Sequence, residues 1–326
     1  MGGDSDFLTQ VTQSYRAAGW SPAAKGMLCA LFGCYALEKA SSLLSQYVLN
    51  NWHSIEPWNS RQELVLITGG SSGIGRRIAE DLSERGVKVV IVDIQEPQWN
   101  PPSNIYFYEA DVTSSERVKA AAEAIREQHG HPTVLVNNAG VFFNGTILEE
   151  PESMIQKSFK VNILAHFLTV KEFLPKMVQQ NHGHIITMAS MASFITVGEM
   201  VDYACTKASA LAFHEGLSQE IRHWHRADKV RTSIVHPLWV HTPLIRNLID
   251  AGGSFDQPIM DTGVVSGAVV KQIIAKKSGS VILPASVSFA TLIRSFPSWL
   301  QEWLRSKFSA KVKRVRDEFW SRKPSL

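Results

Sequence analysis

The run Leu64-Val-Leu-Ile-Thr68, followed at once by Gly69-Gly-Ser-Ser-Gly-Ile-Gly75, constrains the fold more than any other part of the chain. An apolar run with no polar alternation reads as a strand buried on both faces, the habit of parallel sheets. From Ile74 to Arg85 the apolar residues return at helical spacing, and the pattern stops at Gly86. Between strand and helix, Gly69 permits a tight turn and Gly73 leaves out a Cβ where backbone must approach a pyrophosphate. Gly75 permits close packing of the helix on the sheet. The free N–H groups that open the helix, around Ser71, Ser72 and Ile74, then face phosphate oxygens. A glycine trio alone is weak evidence; the flanking strand and helix give it weight.

The same alternation continues. Val87–Val92, Tyr106–Val112, Thr133–Val136, His184–Met188, Val230–Val235 and Ser280–Leu283 read as strands. Ser115–His129, Glu152–Gln180, Tyr203–Trp224 and roughly Ile259–Lys277 read as helices between them. The expected fold class is α/β, a doubly wound parallel sheet with helices on both faces. Residues 61–285 form one catalytic domain in this reading, with extensions at 1–60 and 286–326.

Composition narrows the partners. A net charge of +3 on 326 residues gives no reason to expect nucleic acid, and 44% hydrophobic content fits an ordered globular protein. The last 26 residues alone carry a net +5, so the remainder is slightly acidic. Cys29, Cys34 and Cys205 are too few and too scattered for a disulfide scaffold, and no histidine pair has metal-ligand company. No metal is expected. Near the amino terminus, Gly26–Leu37 and Ala40–Trp52 are apolar but separated by Glu38 and Lys39. Taken separately, each falls short of the roughly 20 residues a spanning helix needs. They are expected to lie in or dip into a membrane interface.

Asp93 closes the second strand, about 20 residues past the loop, where a carboxylate can accept hydrogen bonds from ribose hydroxyls and repel a 2′-phosphate. A solvated strand-end aspartate is the alternative. Arg76 and Arg77 pull the other way, because a guanidinium pairs with such a phosphate; they also fit the exposed first turn of the helix. NAD is favoured and NADP stays in play. Further on, Asn137-Asn-Ala-Gly140 ends a strand, Ser190 ends another, and Tyr203-Ala-Cys-Thr-Lys207 opens a helix. Residues four apart share a helical face, so the Lys207 ammonium is expected beside the Tyr203 phenol. A tyrosine is a poor base at neutral pH; a neighbouring lysine and a positive nicotinamide ring together favour the phenolate and lower its pKa.

The glycine loop, the Asn-Asn-Ala-Gly turn and the Ser190–Tyr203–Lys207 register together resemble the short-chain dehydrogenase/reductase family over about residues 62–245. The resemblance implies Tyr203 as general acid/base, Lys207 as the group that tunes it and holds the nicotinamide ribose, and Ser190 as hydrogen-bond partner of the reacting oxygen. It implies that Asn162, in Lys160-Val-Asn162, supports a water in a proton relay. Asp111, with Val112, would contact the adenine. Asn138, with Ala139 and Gly140, would line the adenosine-side ribose region. Pro237, Val240 and Thr242 match the segment that holds the nicotinamide carboxamide, although Leu238 stands where the family usually has glycine.

The wording around Val161–Phe167, Gly183–Ile185 and Asp202–Ala210 resembles the membrane-associated branch that includes retinol and 17-beta-hydroxysteroid dehydrogenases. That implies a retinoid, steroid or long-chain alcohol, an endoplasmic reticulum or lipid-droplet surface facing the cytosol (the cytoplasm otherwise), and a homodimer through the helices carrying Asn162 and Tyr203. Met191, Phe194, Ile195 and Val197, with Leu244, Ile245, Leu248 and Ile249, are the expected apolar pocket lining, or else ordinary core. Phe296, Trp299, Leu300, Trp303, Leu304 and Phe308 recur at helical spacing beside the basic run, fitting either an interfacial helix or one packed on the domain. A non-catalytic dinucleotide sensor or a structural lipid-surface protein would have no need of an intact Ser-Tyr-Lys set.

Overall fold

The computed structural model describes residues 22–53, 57–246 and 258–322. Leu248 and Ile249 of the expected pocket lining, and Lys323 of the basic carboxyl-terminal run, therefore lie outside the described residues. The chain divides into two units, residues 1–49 and 50–326.

In the first unit, α1 (Pro22–Leu49) corrects the expectation of two short apolar pieces. Glu38 and Lys39 are good helix formers, so the helix runs straight through them. Lys25–Leu49 becomes one stretch long and apolar enough to cross a membrane. Met27, Leu31, Phe32, Leu37, Leu43 and Tyr47 are exposed and point to all sides of the helix.

The second unit opens with β1 (Leu64–Thr68), α2 (Gly73–Ser83), β2 (Lys88–Asp93), β3 (Ile105–Glu109), α3 (Ser115–His129) and β4 (Val134–Asn137). Then come α4 (Glu152–Phe159), a π turn at Lys160–Leu164, α5 (Ala165–Gln180) and β5 (Gly183–Met188). After α6 (Val201–Gln219) the chain forms β6 (Val230–Pro237), β7 (Trp239–Val240), β8 (Ile259–Met260), α7 (Thr262–Ala275), β9 (Gly279–Leu283) and α8 (Ser298–Arg322).

Seven of the strands make one parallel sheet in the order β3-β2-β1-β4-β5-β6-β9. All seven expected strands are present, with shifted ends. β3 stops at Glu109 rather than Val112 because Asp111 Oδ1 accepts the Thr113 N–H at 2.8 Å and its hydroxyl at 2.7 Å, a local turn that competes with the ladder. The helix expected over 152–180 is continuous but widened by the π turn that holds Asn162.

Both sheet faces are covered, as the apolar runs require. Leu64, Leu66, Val90, Leu135 and Ile185 pack on one side with α3, α5 and α6. Val65, Ile67, Val89, Ile91, Val134 and Val136 pack on the other with α2 and α7. Adjacent strand residues thus serve opposite layers, and each fully buried aliphatic side chain contributes about 1.5–3 kcal/mol. Strand order reverses between β1 and β4, and a crevice opens there at the carboxyl ends of the strands.

Candidate active site

The crevice widens into a cavity of about 1170 Å³. That exceeds the roughly 300–1,000 Å³ of a drug-sized site, as a cavity taking two molecules should.

At one end the walls are backbone. Thr68 Oγ1 accepts the N–H groups of Asn138 at 3.0 Å and Ala139 at 3.1 Å, and the Gly69 N–H reaches Val92 O at 2.8 Å. Gly69 has φ of 67°, and a Cβ there would stand 2.8 Å from Ala139 Cα. A Cβ on Gly75 would meet Gly69 O at 2.2 Å, so α2 closes on the loop itself rather than only on the sheet. Gly73, Ser72 and Ile74 border the cavity, with Val112, Ala139 and Gly140 opposite. These bare N–H groups and missing Cβ atoms fit the pyrophosphate of a dinucleotide.

Two of the residues expected at the cofactor have side-chain partners within the protein. The Asn138 amide donates to Thr68 O and Gly69 O, both at 3.0 Å, and so braces the loop while the residue borders the cavity. Ser71 turns away: its hydroxyl donates to Gln95 O at 2.7 Å, and its carbonyl accepts Trp99 Nε1–H at 3.0 Å. The Ser71 N–H donates to Asp93 Oδ2 at 3.0 Å. Asp93 and Asp111 both border the cavity at this end. Arg76 pairs with Glu80 at 2.9 Å and stacks on Trp99, while Arg77 pairs with Asp81 at 3.0 Å. Both guanidinium groups have carboxylate partners on their own helix. Gly70, absent from the expected set, supports the loop from behind, since a Cβ there would stand 2.5 Å from Ile91 Cβ.

At the other end, β5, α6 and the end of β6 bring Ser190, Tyr203, Lys207 and Pro237 to one wall. Lys207 is buried; its Nζ donates to Met188 O at 2.9 Å and sits 5.5 Å from the centre of the Tyr203 ring. Burial pushes the ammonium down to about 8. Burial also pushes the Tyr203 phenol up to about 12, with the Ser190 hydroxyl pulling weakly the other way. In the protein by itself desolvation dominates, and Tyr203 is a neutral phenol. Phe142 meets the Tyr203 ring edge-on at 5.1 Å and fixes its tilt. Ser190 Oγ accepts the Ala192 N–H at 3.2 Å and donates to Pro237 O at 3.4 Å.

Asn162 is fully buried behind this wall. Its amide donates to Val141 O at 2.9 Å and Thr206 Oγ1 at 3.1 Å, and its Oδ1 accepts the Val141 N–H at 2.8 Å. The π turn is what aims it there. Val240 and Thr242 border the cavity beyond Pro237. Leu238 donates its N–H to Leu283 O at 2.8 Å and takes no left-handed φ, so the bulkier residue sits in the segment without backbone strain.

The outer wall is apolar. Met191, Ile195, Val197, Leu244 and Ile245 border it as the sequence leads one to expect, whereas Phe194 packs against His236 at 4.8 Å. The segment 286–326, set apart in the sequence reading, belongs to the same unit as the sheet, and Leu304, Phe308 and Val315 of α8 complete the wall. Their helical spacing was legible; the surface they cover was not.

Comparison with known proteins agrees with this geometry. Residues 63–251 match the family model described as short chain dehydrogenase. The chain is 43% identical to "Dehydrogenase RED2" of Cochliobolus heterostrophus over 201 residues, 61% of this chain and 76% of the relative. It is 31% identical to human "Estradiol 17-beta-dehydrogenase 11" over 262 residues, 78% of this chain and 85% of the relative. A 3-ketoacyl-(acyl-carrier-protein) reductase from Brucella melitensis, solved with NADH, superposes with a TM-score of 0.60 at 21% identity, covering 68% of this chain and 96% of that one. ElxO with NADP bound gives 0.60 at 23% identity, over 68% of this chain and 96% of that one. The chain belongs to the short-chain dehydrogenase family, in the branch with estradiol 17-beta-dehydrogenase 11, and is an NAD(P)-dependent oxidoreductase acting on CH–OH groups.

Proposed function

We propose that this enzyme interconverts a hydrophobic alcohol and its carbonyl partner, with Tyr203, Ser190 and Lys207 carrying the proton chemistry. One observation supports this most: the Tyr203 phenol stands at the meeting point of a backbone-lined cofactor cradle and an apolar chamber. The nicotinamide ring, when bound, gives or takes the hydride. In the reducing direction the neutral Tyr203 Oη donates its proton to the substrate oxygen; in the oxidising direction it first gives its proton to the relay toward solvent, and the phenolate then takes the alcohol proton. Ser190 is suited to orient that oxygen, because its hydroxyl proton goes to the long contact with Pro237 O and the group lies beside the Tyr203 phenol. Lys207, charged at neutral pH, favours the phenolate as it forms. Asn162, through Val141 and Thr206, holds two of the backbone segments that frame Tyr203 and serves the relay.

The cofactor cradle is assigned to Gly69, Ser72, Gly73, Ile74, Asp93, Asp111, Val112, Ala139, Gly140, Pro237, Val240 and Thr242, with Gly75 and Asn138 as braces. NAD is preferred over NADP, because Asp93 faces the adenosine end while Arg76 and Arg77 are paired elsewhere. The enzyme is proposed to sit on an endoplasmic reticulum or lipid-droplet surface, facing the cytosol. A helix of 25 residues is about 37 Å long at 1.5 Å per residue, enough for the bilayer core. Exposed Trp299 and Trp303 beside Lys307 suit the interface. Met154, Phe159, Leu164 and Phe167, exposed along α4 and α5, suit a second copy of the chain.

The test is a panel of retinoid, steroid and long-chain alcohols and their carbonyl partners, assayed with both cofactors. Turnover of apolar members with NAD is expected; turnover of sugars or other polar alcohols alone defeats the substrate reading. Flotation with anionic liposomes, with and without residues 1–52, checks the membrane assignment, which fails if the intact protein stays soluble.

A further inference from the structure

The carboxyl-terminal segment returns to the loops that frame the reaction centre and holds them at three places. Arg294 Nη2 donates to Ser193 O at 3.1 Å. The Gly198 N–H donates to Ser309 Oγ at 3.2 Å. Arg316 bridges two carboxylates, Nη1 reaching Glu199 Oε1 at 3.2 Å and Nη2 pairing with Glu149. Ser193, Gly198 and Glu199 all lie between Ser190 and Tyr203; Glu149 lies in the loop after β4. Arg316 therefore ties α8 across both lips of the cavity.

Glu199 is an unusual residue to find at this point. Its φ is 64°, a region that L-residues other than glycine seldom occupy. Its carbonyl accepts the Gly145 N–H at 3.1 Å and its side chain is 8% exposed, so the strained backbone is held from both sides. On α8, Leu304, Phe308, Val312 and Val315 recur at spacings of four, four and three, which puts them on one face, and all four border the cavity. Arg316 follows directly on Val315. The Arg316 bond holds the Glu149 carboxyl down at about 2, so the tie persists over any ordinary assay pH.

We infer that Arg316 is a positioning residue that seats α8 as the outer wall of the substrate chamber, and that this wall makes the enzyme select long apolar substrates. The inference rests on the reading of the chamber given above. A short alcohol reaches Tyr203 and Ser190 without touching α8; a long one lies along Phe308 and Val312. The tie engages Glu149 and Glu199, not the glycine loop, and should leave the cofactor alone.

The test uses the full chain, with Arg316→Ala, Arg316→Lys and Phe308→Ala. Arg316→Ala should raise KM for dodecanol on the order of ten-fold, the usual cost of a lost charge-assisted bond, with a smaller change in kcat. Propanol should be affected much less, the NAD dissociation constant should hold, and Arg316→Lys should recover part of the loss. Phe308→Ala should repeat the dodecanol effect without loosening the tie. Equal losses for both alcohols, or a lost cofactor site in a folded variant, would show that α8 only stabilises the fold and would overturn the inference. Hydrogen exchange of the α8 amides reads the seat without turnover: Arg316→Ala should speed it and Arg316→Lys should slow it again. Unchanged exchange overturns the tie even if the intact protein oxidises neither alcohol, an outcome that by itself counts against the substrate reading.

Discussion

The two ends of the cavity are built by opposite means. The cofactor end is backbone: glycines whose Cβ atoms would collide, strand ends tied through Thr68, and N–H groups left free at the start of α2. The substrate end is side chain: Phe142, Met191, Ile245, Phe289, Phe308 and Val315, drawn from segments far apart in the chain. A backbone site demands particular residues at fixed positions, so it leaves a motif. A side-chain wall demands only that its residues be apolar and about the right size, so it leaves almost none. The first half should be intolerant of single atoms and indifferent to substrate, the second tolerant and decisive for it.

The sharpest cut falls on the boundary between the halves. Tyr203→Phe removes the proton and nothing from the cradle, so turnover should fall on the order of 10²–10⁴-fold while NAD titration stays unchanged. Loss of cofactor affinity in that variant would mean that the two halves are not separable.

Next in size is Asp93→Ala, which should weaken NAD binding by about 1.5–3 kcal/mol if the carboxylate accepts ribose hydroxyls and narrow the gap to NADP. Asp93→Asn serves as control, because it keeps an acceptor for the Ser71 N–H. Tighter NADP than NAD binding by the native protein would move attention back to Arg76 and Arg77.

Glycine substitutions test tolerance directly. Gly75→Ala forces a methyl against Gly69 O, 2.2 Å from the ideal Cβ position, and should cost about 1–3 kcal/mol of stability. A Cβ on Gly198, at the substrate end, meets nothing within 4 Å, and Gly198→Ala should stay within about 0.5 kcal/mol. Denaturant unfolding of both variants decides; equal costs would erase the contrast.

The last effect is a slope of stability with pH that is flat near neutrality. Burial lowers Lys207 from its ordinary 10.5 to about 8. Below pH 8 the folded protein carries a buried ammonium at a cost. Between about 8 and 10.5 the unfolded chain keeps a proton that the folded one has released, so stability rises with pH through that window. Tyr203, raised from 10.0 to about 12, acts oppositely and removes stability as pH climbs from 10 to 12. Thermal unfolding of native protein and Lys207→Met across pH 7 to 10 isolates the lysine contribution. The rise relative to the variant should vanish if Lys207 is solvated.

The same contrast explains what could be read in the sequence. The sheet was legible because apolar runs buried on both faces need no alternation, and its order follows from a single crossover pattern. The Tyr203–Lys207 pairing was legible because helical spacing puts residues four apart on one face, whereas Ser190 comes from a strand end. The partners of the Asn138 amide were not legible, because they lie on Thr68 and Gly69, about 70 residues back along the chain. The burial of the Tyr203 phenol was not legible, because the spacing to Lys207 says nothing of desolvation. α8 was ambiguous for a third reason: an amphipathic stripe states that something apolar lies opposite, not whether it is lipid or protein. The same holds for Glu38 and Lys39, whose charges interrupt an apolar composition but not a helix.

The central claim is that Tyr203 joins a cofactor cradle to an apolar chamber so that hydride and proton reach one carbonyl. Incubation with NADH carrying deuterium at the transferable position and a set of long-chain and steroid ketones tests it directly. Mass spectrometry of the product alcohol should find the deuterium on the carbinol carbon with the native enzyme, and should find almost none with Tyr203→Phe despite a filled cofactor site. Undiminished transfer in Tyr203→Phe, or no transfer from either reduced cofactor to any of these ketones, would contradict the account.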